Sequence, residues 1–131
     1  MERKIVNPWA WQDKIGFVQA NALEGPSRVV LCAGQTSVDA EGNPLHAGDF
    51  RAQTALALDN LETVLGQAGF GLGDVVRLNY YVTDIQAFFG AGDVLRERFQ
   101  AAGCRPASTL LGVAALALPE LMIEIEATAA A

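Results

Sequence analysis

Apolar residues recur three and four positions apart between Asp49 and Gly69, at Leu58, Leu61, Leu65 and Ala68. This spacing predicts a helix from about Phe50 to Ala68, with Asp49 as its cap and Gly69 as its stop. A second apolar stripe, Ile85, Phe88, Phe89, Leu95 and Phe99, follows Asp84 and ends at Gly103. It predicts a second helix whose middle is weakened by Gly90 and Gly92. Between the two, Val75 to Val82 is rich in β-branched and aromatic residues and predicts a strand. Gly16 to Ala20 is a shorter strand signal, and Arg28 to Thr36, after a turn at Gly25-Pro26-Ser27, reads as a central strand. These two are expected to pair as a hairpin.

Near the C-terminus, two β-rich runs, Arg105 to Val113 and Ile123 to Ala127, flank a turn at Leu118-Pro119. Side chains alternate across a strand, so Ile123 and Ile125 share one face while Glu124 and Glu126 share the other. Those carboxylates admit two readings: a solvated sheet face, or a face that lines a cleft closed by a neighbouring subunit. A buried Glu124 would suit a general base or a water-positioning group, whereas the alternative is exposure or a structural ion pair with Arg77 or Arg105. The element order ββαβαββ predicts a single α+β domain over residues 1–131, a mixed sheet with two helices packed on one face. Residues 1–15, with Pro8, Trp9 and Trp11 and no clear period, are expected to form an irregular arm that docks its indoles.

Composition changes this picture in one respect. Of 131 residues, 51% are hydrophobic and only 18% charged, and so small a domain has little interior in which to hide the excess, which points to a buried subunit interface. A net charge of −6 with scattered basic residues argues against a nucleic-acid partner. No segment approaches the roughly twenty apolar residues of a membrane helix. The start, Met1-Glu2-Arg3-Lys4-Ile5, leads into no apolar core of signal-peptide length. The chain is therefore expected to be cytoplasmic, with Cys32 and Cys104 reduced. No CxxC occurs and His46 is the sole histidine, so no metal is expected. Gly69-Phe70-Gly71-Leu72-Gly73 follows a helix and precedes a strand, the wrong order for a phosphate cradle. Ala33-Gly34-Gln35 is either a bulge with close backbone approach or a backbone amide offered to a ligand.

Several of these residues, in this order and spacing, resemble the RidA/YjgF group of small reactive-intermediate deaminases. They are Ala33-Gly34-Gln35, Gln53, Leu58-Asp59-Asn60-Leu61, Tyr81-Val82-Thr83-Asp84, Arg105-Pro106-Ala107-Ser108-Thr109, Leu118-Pro119 and Ile123-Glu124-Ile125-Glu126-Ala127. The resemblance runs from about Phe17 to the C-terminus. It implies a chorismate-mutase-like fold assembled as a homotrimer with three intersubunit clefts, and hydrolysis of imines or enamines to ammonia and a keto acid with no cofactor. It also implies Glu124 as the catalytic acid that orients water, and Phe17, Ala33, Gly34, Arg105, Ser108 and Thr109 as ligand-binding positions.

The chain departs from the family at the clamp. Ser108 stands where the family has an arginine after Pro-Ala, and a hydroxyl cannot replace a guanidinium that grips a carboxylate in two parallel bonds, each charge-assisted and worth roughly 1.5–3 kcal/mol. Arg105 precedes the proline and restores a carboxylate site only if its guanidinium reaches the cleft. Phe17 replaces a common tyrosine, Ala33 a serine and Gly92 an asparagine. These differences predict a more neutral nitrogen-containing ligand than the usual 2-imino acids, or alternatively a non-catalytic, small-molecule-binding or regulatory trimer.

Overall fold

The eight residues Val75–Val82 alternate between buried and more exposed positions, and the sheet forms around them. In the computed structural model, which describes residues 1–131, the strands are β1 (Glu2–Val6), β2 (Ala20–Glu24), β3 (Val29–Leu31), β4 (Val75–Val82), β5 (Ala107–Gly112) and β6 (Ile123–Ala130). The helices are α1 (Phe50–Gln67), α2 (Ile85–Gly90) and α3 (Gly92–Ala102). The main sheet has the order β3-β6-β4-β5, with β4 and β5 parallel and the other pairs antiparallel. This is the α+β architecture expected, with a mixed sheet covered by helices.

Strand alternation divides the sheet into two unlike faces. Ile123, Ile125, Ala127 and Ala129 of β6 join Leu78, Tyr80 and Val82 of β4 against Leu58, Leu61 and Leu65 of α1 and Phe88, Leu95 and Phe99 of α2 and α3. The opposite, open face carries Asn79 and Tyr81 beside Glu126 and Glu124. Asp49 caps α1 as expected, its carboxylate accepting the Ala52 N–H at 3.0 Å, and Asp84 caps α2 in the same way.

Five expectations need correction. The second helix is two helices: the ladder breaks at Ala91, between the glycines that weaken it, so three helices cover the sheet rather than two. The arm is not irregular throughout, because Glu2–Val6 pairs antiparallel with Ala20–Glu24 in a separate two-stranded sheet. Long-range polar bonds hold that ribbon: Arg3 donates to the Arg105 carbonyl at 2.6 Å and to Asn21 at 2.9 Å, and Asn21 donates to the Val76 carbonyl at 2.9 Å. The strand signal at Gly16–Ala20 accordingly shifts forward to Ala20–Glu24, with Gly16 itself at φ +88°. Finally, β2 and β3 form no hairpin, since β3 pairs with β6, and the run expected to be a central strand over Arg28–Thr36 is a three-residue strand at the sheet edge. After three residues the chain leaves that ladder at Ala33-Gly34 and rejoins it at Gln35, which exchanges both backbone bonds with Ile125 at 2.7 and 2.9 Å.

The connection Asn7–Gln19 between β1 and β2 is closed at its base, where Asn7 accepts the Gln19 N–H at 2.8 Å. Inside it, the fully buried Gln12 bonds the Trp9 carbonyl and Gln19, and Trp11 meets the edge of Phe17 with centroids 5.7 Å apart. No helix is long and apolar enough to cross a membrane.

Candidate functional site

Two polar residues of α1, two helical turns apart, place the loops that carry the open-face residues. Gln53 is fully buried; its amide donates to the carbonyls of Glu120 (2.8 Å) and His46 (3.2 Å), and its oxygen accepts the Met122 N–H (2.8 Å). Asn60 donates to the carbonyls of Thr36 and Val38 at 2.9 and 3.1 Å. The first set fixes the chain entering β6 just before Glu124, and the second fixes the chain leaving Gly34. Helix α1 thus holds together the two segments that meet on the open face.

They meet closely. A Cβ on Gly34 would lie 2.5 Å from Glu124 Cδ and 2.8 Å from its Cγ, so only glycine allows the carboxylate its present place. Glu124 is half-buried and forms no ion pair; Arg77 instead donates to the Thr109 hydroxyl at 2.7 Å. The structural pairing of Glu124 with Arg77 or Arg105 is therefore not formed. Its neighbour Glu126 is committed: Tyr81 donates to it at 2.5 Å and Asn79 at 2.9 Å. The Tyr81 hydroxyl, then the Asn79 amide, hold the Glu126 carboxyl below the ordinary glutamate range, and the same bond raises Tyr81.

A carboxyl lowered in the folded state stabilises above its unfolded pKa of about 4.3 and loses that contribution as pH falls through the folded value. Tyr81→Phe is therefore expected to melt below wild type at neutral pH, with the gap closing below about pH 4. A gap unchanged between neutral and acid pH in thermal melts would show that the Tyr81–Glu126 bond is not its origin.

On the helix side of the sheet lies a cavity of about 330 Å³ whose walls include Phe17, Phe88, Phe89, Leu95, Ser108 and Leu110, with Lys14 and Arg96 among its lining. Arg105 and Cys104 line an adjoining hollow that shares Lys14, Phe17 and Arg96. Burial pushes the Cys104 thiol up to about 12, which leaves it a poor nucleophile. No three His, Cys, Asp or Glu side chains gather closely enough to hold a metal ion.

One chain therefore separates the residues singled out from the sequence. Phe17 and Ser108 line the cavity, Arg105 stands exposed at the adjoining hollow, and Ala33, Gly34, Thr109 and Glu124 belong to the open face or its bulged edge. Ser108 and Thr109 cannot serve one ligand from one chain, because successive residues of β5 face opposite ways. Sequence reasoning also missed Arg96 and Lys14. With them in its lining, the cavity carries two cations, which the more neutral ligand expected from Ser108, Phe17 and Ala33 does not call for.

The chain is similar to known proteins over nearly its whole length. The family model described as Endoribonuclease L-PSP matches residues 13–131. A RutC family protein of Pyrococcus abyssi is 32% identical over 126 residues, which is 96% of this chain and 88% of that protein. The crystal structure of the Rid family protein YyfB of Yersinia pestis superposes over 100% of both chains with a TM-score of 0.86 and 38% identity. Escherichia coli TdcF, solved with bound serine, covers 88% of this chain with 87% of its own, at a TM-score of 0.71 and 26% identity.

Proposed function

Because the chain belongs to the Endoribonuclease L-PSP family, within its RidA/YjgF group, we propose that it assembles as a homotrimer whose intersubunit clefts bind a small nitrogen-containing metabolite and hydrolyse an imine or enamine without a cofactor. The observation that carries this reading is the division of one site over two faces. A free carboxylate stands on the open face of the sheet, and an aromatic cavity that includes Ser108 lies on the other. A neighbouring copy packed on the open face brings its cavity to Glu124. The apolar side chains on that face support such packing: Leu31 is 78% exposed and Val29 56%, both beside Thr128 and Ala130 of β6, and Leu111 on β5 is 49% exposed. Surfaces of this kind are costly to leave in water. The serine bound to TdcF supports a ligand of amino-acid size.

The chemistry asks for little. An enamine first tautomerises to its imine. Glu124 takes a proton from water as the oxygen attacks the C=N carbon, which moves the π electrons to nitrogen and yields a tetrahedral carbinolamine. The proton returns to nitrogen; the carbinolamine hydroxyl then passes its own proton through Glu124 to the amino group as the C–N bond breaks, and ammonia leaves as the carbonyl forms, so that one imine and one water become one carbonyl compound and one ammonia. The Gly34 backbone is close enough to the carboxylate to contact the same ligand, and the Ser108 hydroxyl of the adjoining copy supplies a further hydrogen bond.

The test is carbonyl release from freshly generated 2-imino acids in a coupled assay, run on wild type, Glu124→Gln and Ser108→Arg. Wild type is expected to turn over, Glu124→Gln to fall by about 100-fold or more, and Ser108→Arg to favour small imino acids. Silence in both wild type and Ser108→Arg, from protein that sediments as a trimer, would replace the enzyme by a non-catalytic binding trimer.

A further inference from the structure

We propose that Arg96 of α3, and not a residue of the Pro106-Ala107-Ser108 stretch, is the cation that receives a ligand carboxylate in this cavity, and that the cavity prefers an acid with an aromatic or branched apolar body. This rests on the reading of the cleft as a ligand site and names the class of ligand.

The chain has seven arginines. Arg3, Arg28, Arg51, Arg77 and Arg98 all donate to carbonyls, hydroxyls or carboxylates. The two whose guanidinium groups have no partner are Arg96 and Arg105, and both line this one groove, together with Lys14. Asp13 is the single acidic residue in the lining, and it accepts a hydrogen bond from Gln12 at 3.3 Å. Of the two acids on the same helix, Asp93 is held by both terminal nitrogens of Arg51 at 2.7 and 2.9 Å, and Glu97 neither pairs with Arg96 nor lines the groove. A protein of net charge −6 thus gathers three cations against one acid along its aromatic cavity and the hollow that adjoins it, an arrangement that focuses anions.

Between the two unpaired arginines, geometry selects Arg96. Arg105 lines only the adjoining hollow, whereas Arg96 lines both. Two glycines make room for it. Its Cγ passes 3.9 Å from where a Cβ on Gly16 would stand, and its Nη1 lies 2.8 Å from where a Cβ on Gly92, one turn earlier, would stand. The guanidinium is thereby folded back over Gly92, which itself lines the cavity. Phe17, Phe88, Phe89, Leu95 and Leu110 accept the apolar body, with the hydroxyl-bearing Ser108 and Tyr80 also in the lining. A planar, permanently charged fork at the rim of an apolar hollow matches a carboxylate attached to an apolar group.

The test compares binding of 3-phenylpropionate, the isosteric neutral 3-phenylpropionamide and propionate to the full chain by titration calorimetry. Wild type is expected to bind 3-phenylpropionate at least tenfold more tightly than either of the others. Arg96→Gln, which breaks no intrachain bond, is expected to lose the preference for acid over amide while keeping its affinity for the amide; Arg105→Gln is expected to retain the preference. Equal binding of acid and amide by wild type overturns the proposal, as does a preference that survives Arg96→Gln or vanishes with Arg105→Gln. Glu124→Gln separates this inference from the catalytic one. It is expected to abolish turnover yet keep the acid preference, whereas turnover of imines by wild type that discriminates neither charge nor apolar bulk would overturn the ligand class alone.

Discussion

Gln53→Ala is expected to destabilise the protein by about 3 kcal/mol, a fall of roughly 10 °C in melting temperature at matched protein concentration. The side chain is fully buried and serves three backbone groups, the carbonyls of His46 and Glu120 and the N–H of Met122. Truncation leaves the Glu120 carbonyl and the Met122 N–H without a partner, while the His46 carbonyl keeps the Asp49 N–H, and it opens a void between α1 and the chain entering β6. Gln53→Met separates the two costs, since it refills the volume but cannot make the bonds; it is expected to recover only the smaller, cavity part. Melting within a degree of wild type for the alanine variant would mean that the loop finds other partners and that α1 does not position it.

Gly34→Ala should act in the opposite manner, leaving the fold nearly as stable and removing turnover. The position has no left-handed backbone requirement and is exposed, so a methyl group there strains little by itself. It would nevertheless overlap the end of Glu124, 2.5 Å from Cδ. The flexible end of a glutamate moves more cheaply than two hydrogen-bonded strands, and it takes the carboxylate with it. The expected outcome is a melting temperature within about 3 °C of wild type and imine hydrolysis reduced to the level of Glu124→Gln. Full activity in Gly34→Ala would show that the carboxylate works from another rotamer and that the close approach at Gly34 serves packing alone.

The parts of this molecule that were legible in the sequence are those governed by local periodicity. Leu58, Leu61 and Leu65 announce α1, and the alternation of Ile123, Glu124, Ile125 and Glu126 assigns each side chain its face. What was not legible depends on groups far apart in the chain. Nothing near Arg3 shows that its guanidinium will bond the carbonyl of Arg105, 102 residues away, and without that contact a polar N-terminal stretch gives no sign of pairing as a strand. The glycines at 90 and 92 correctly marked a weak point in the second helix, although not that the helix would restart. The opposition of Ser108 and Thr109 follows from strand alternation alone. That of Ser108 and Glu124 needed the register of three strands. Arg96 was hidden for a different reason: an unpaired arginine on an exposed helix face reads as solvated until the loop carrying Lys14 and Phe17 is seen folded beside it.

That loop, Asn7–Gln19, joins the two strands of the small outer ribbon, is closed at its base by Asn7 and Gln19, and is knotted within by Gln12. It supplies Lys14, Ile15, Gly16 and Phe17 to the cavity, yet apart from the single backbone bond of Val18 to Pro106 it contributes no rung to the main sheet. The cavity therefore has one wall that is an insert clipped onto a frame. Exchanging that insert would redraw the shape and charge that a ligand meets while the strand bearing Glu124 stays untouched. In such a layout, descendants of one fold can diverge in what they recognise without first risking how they react.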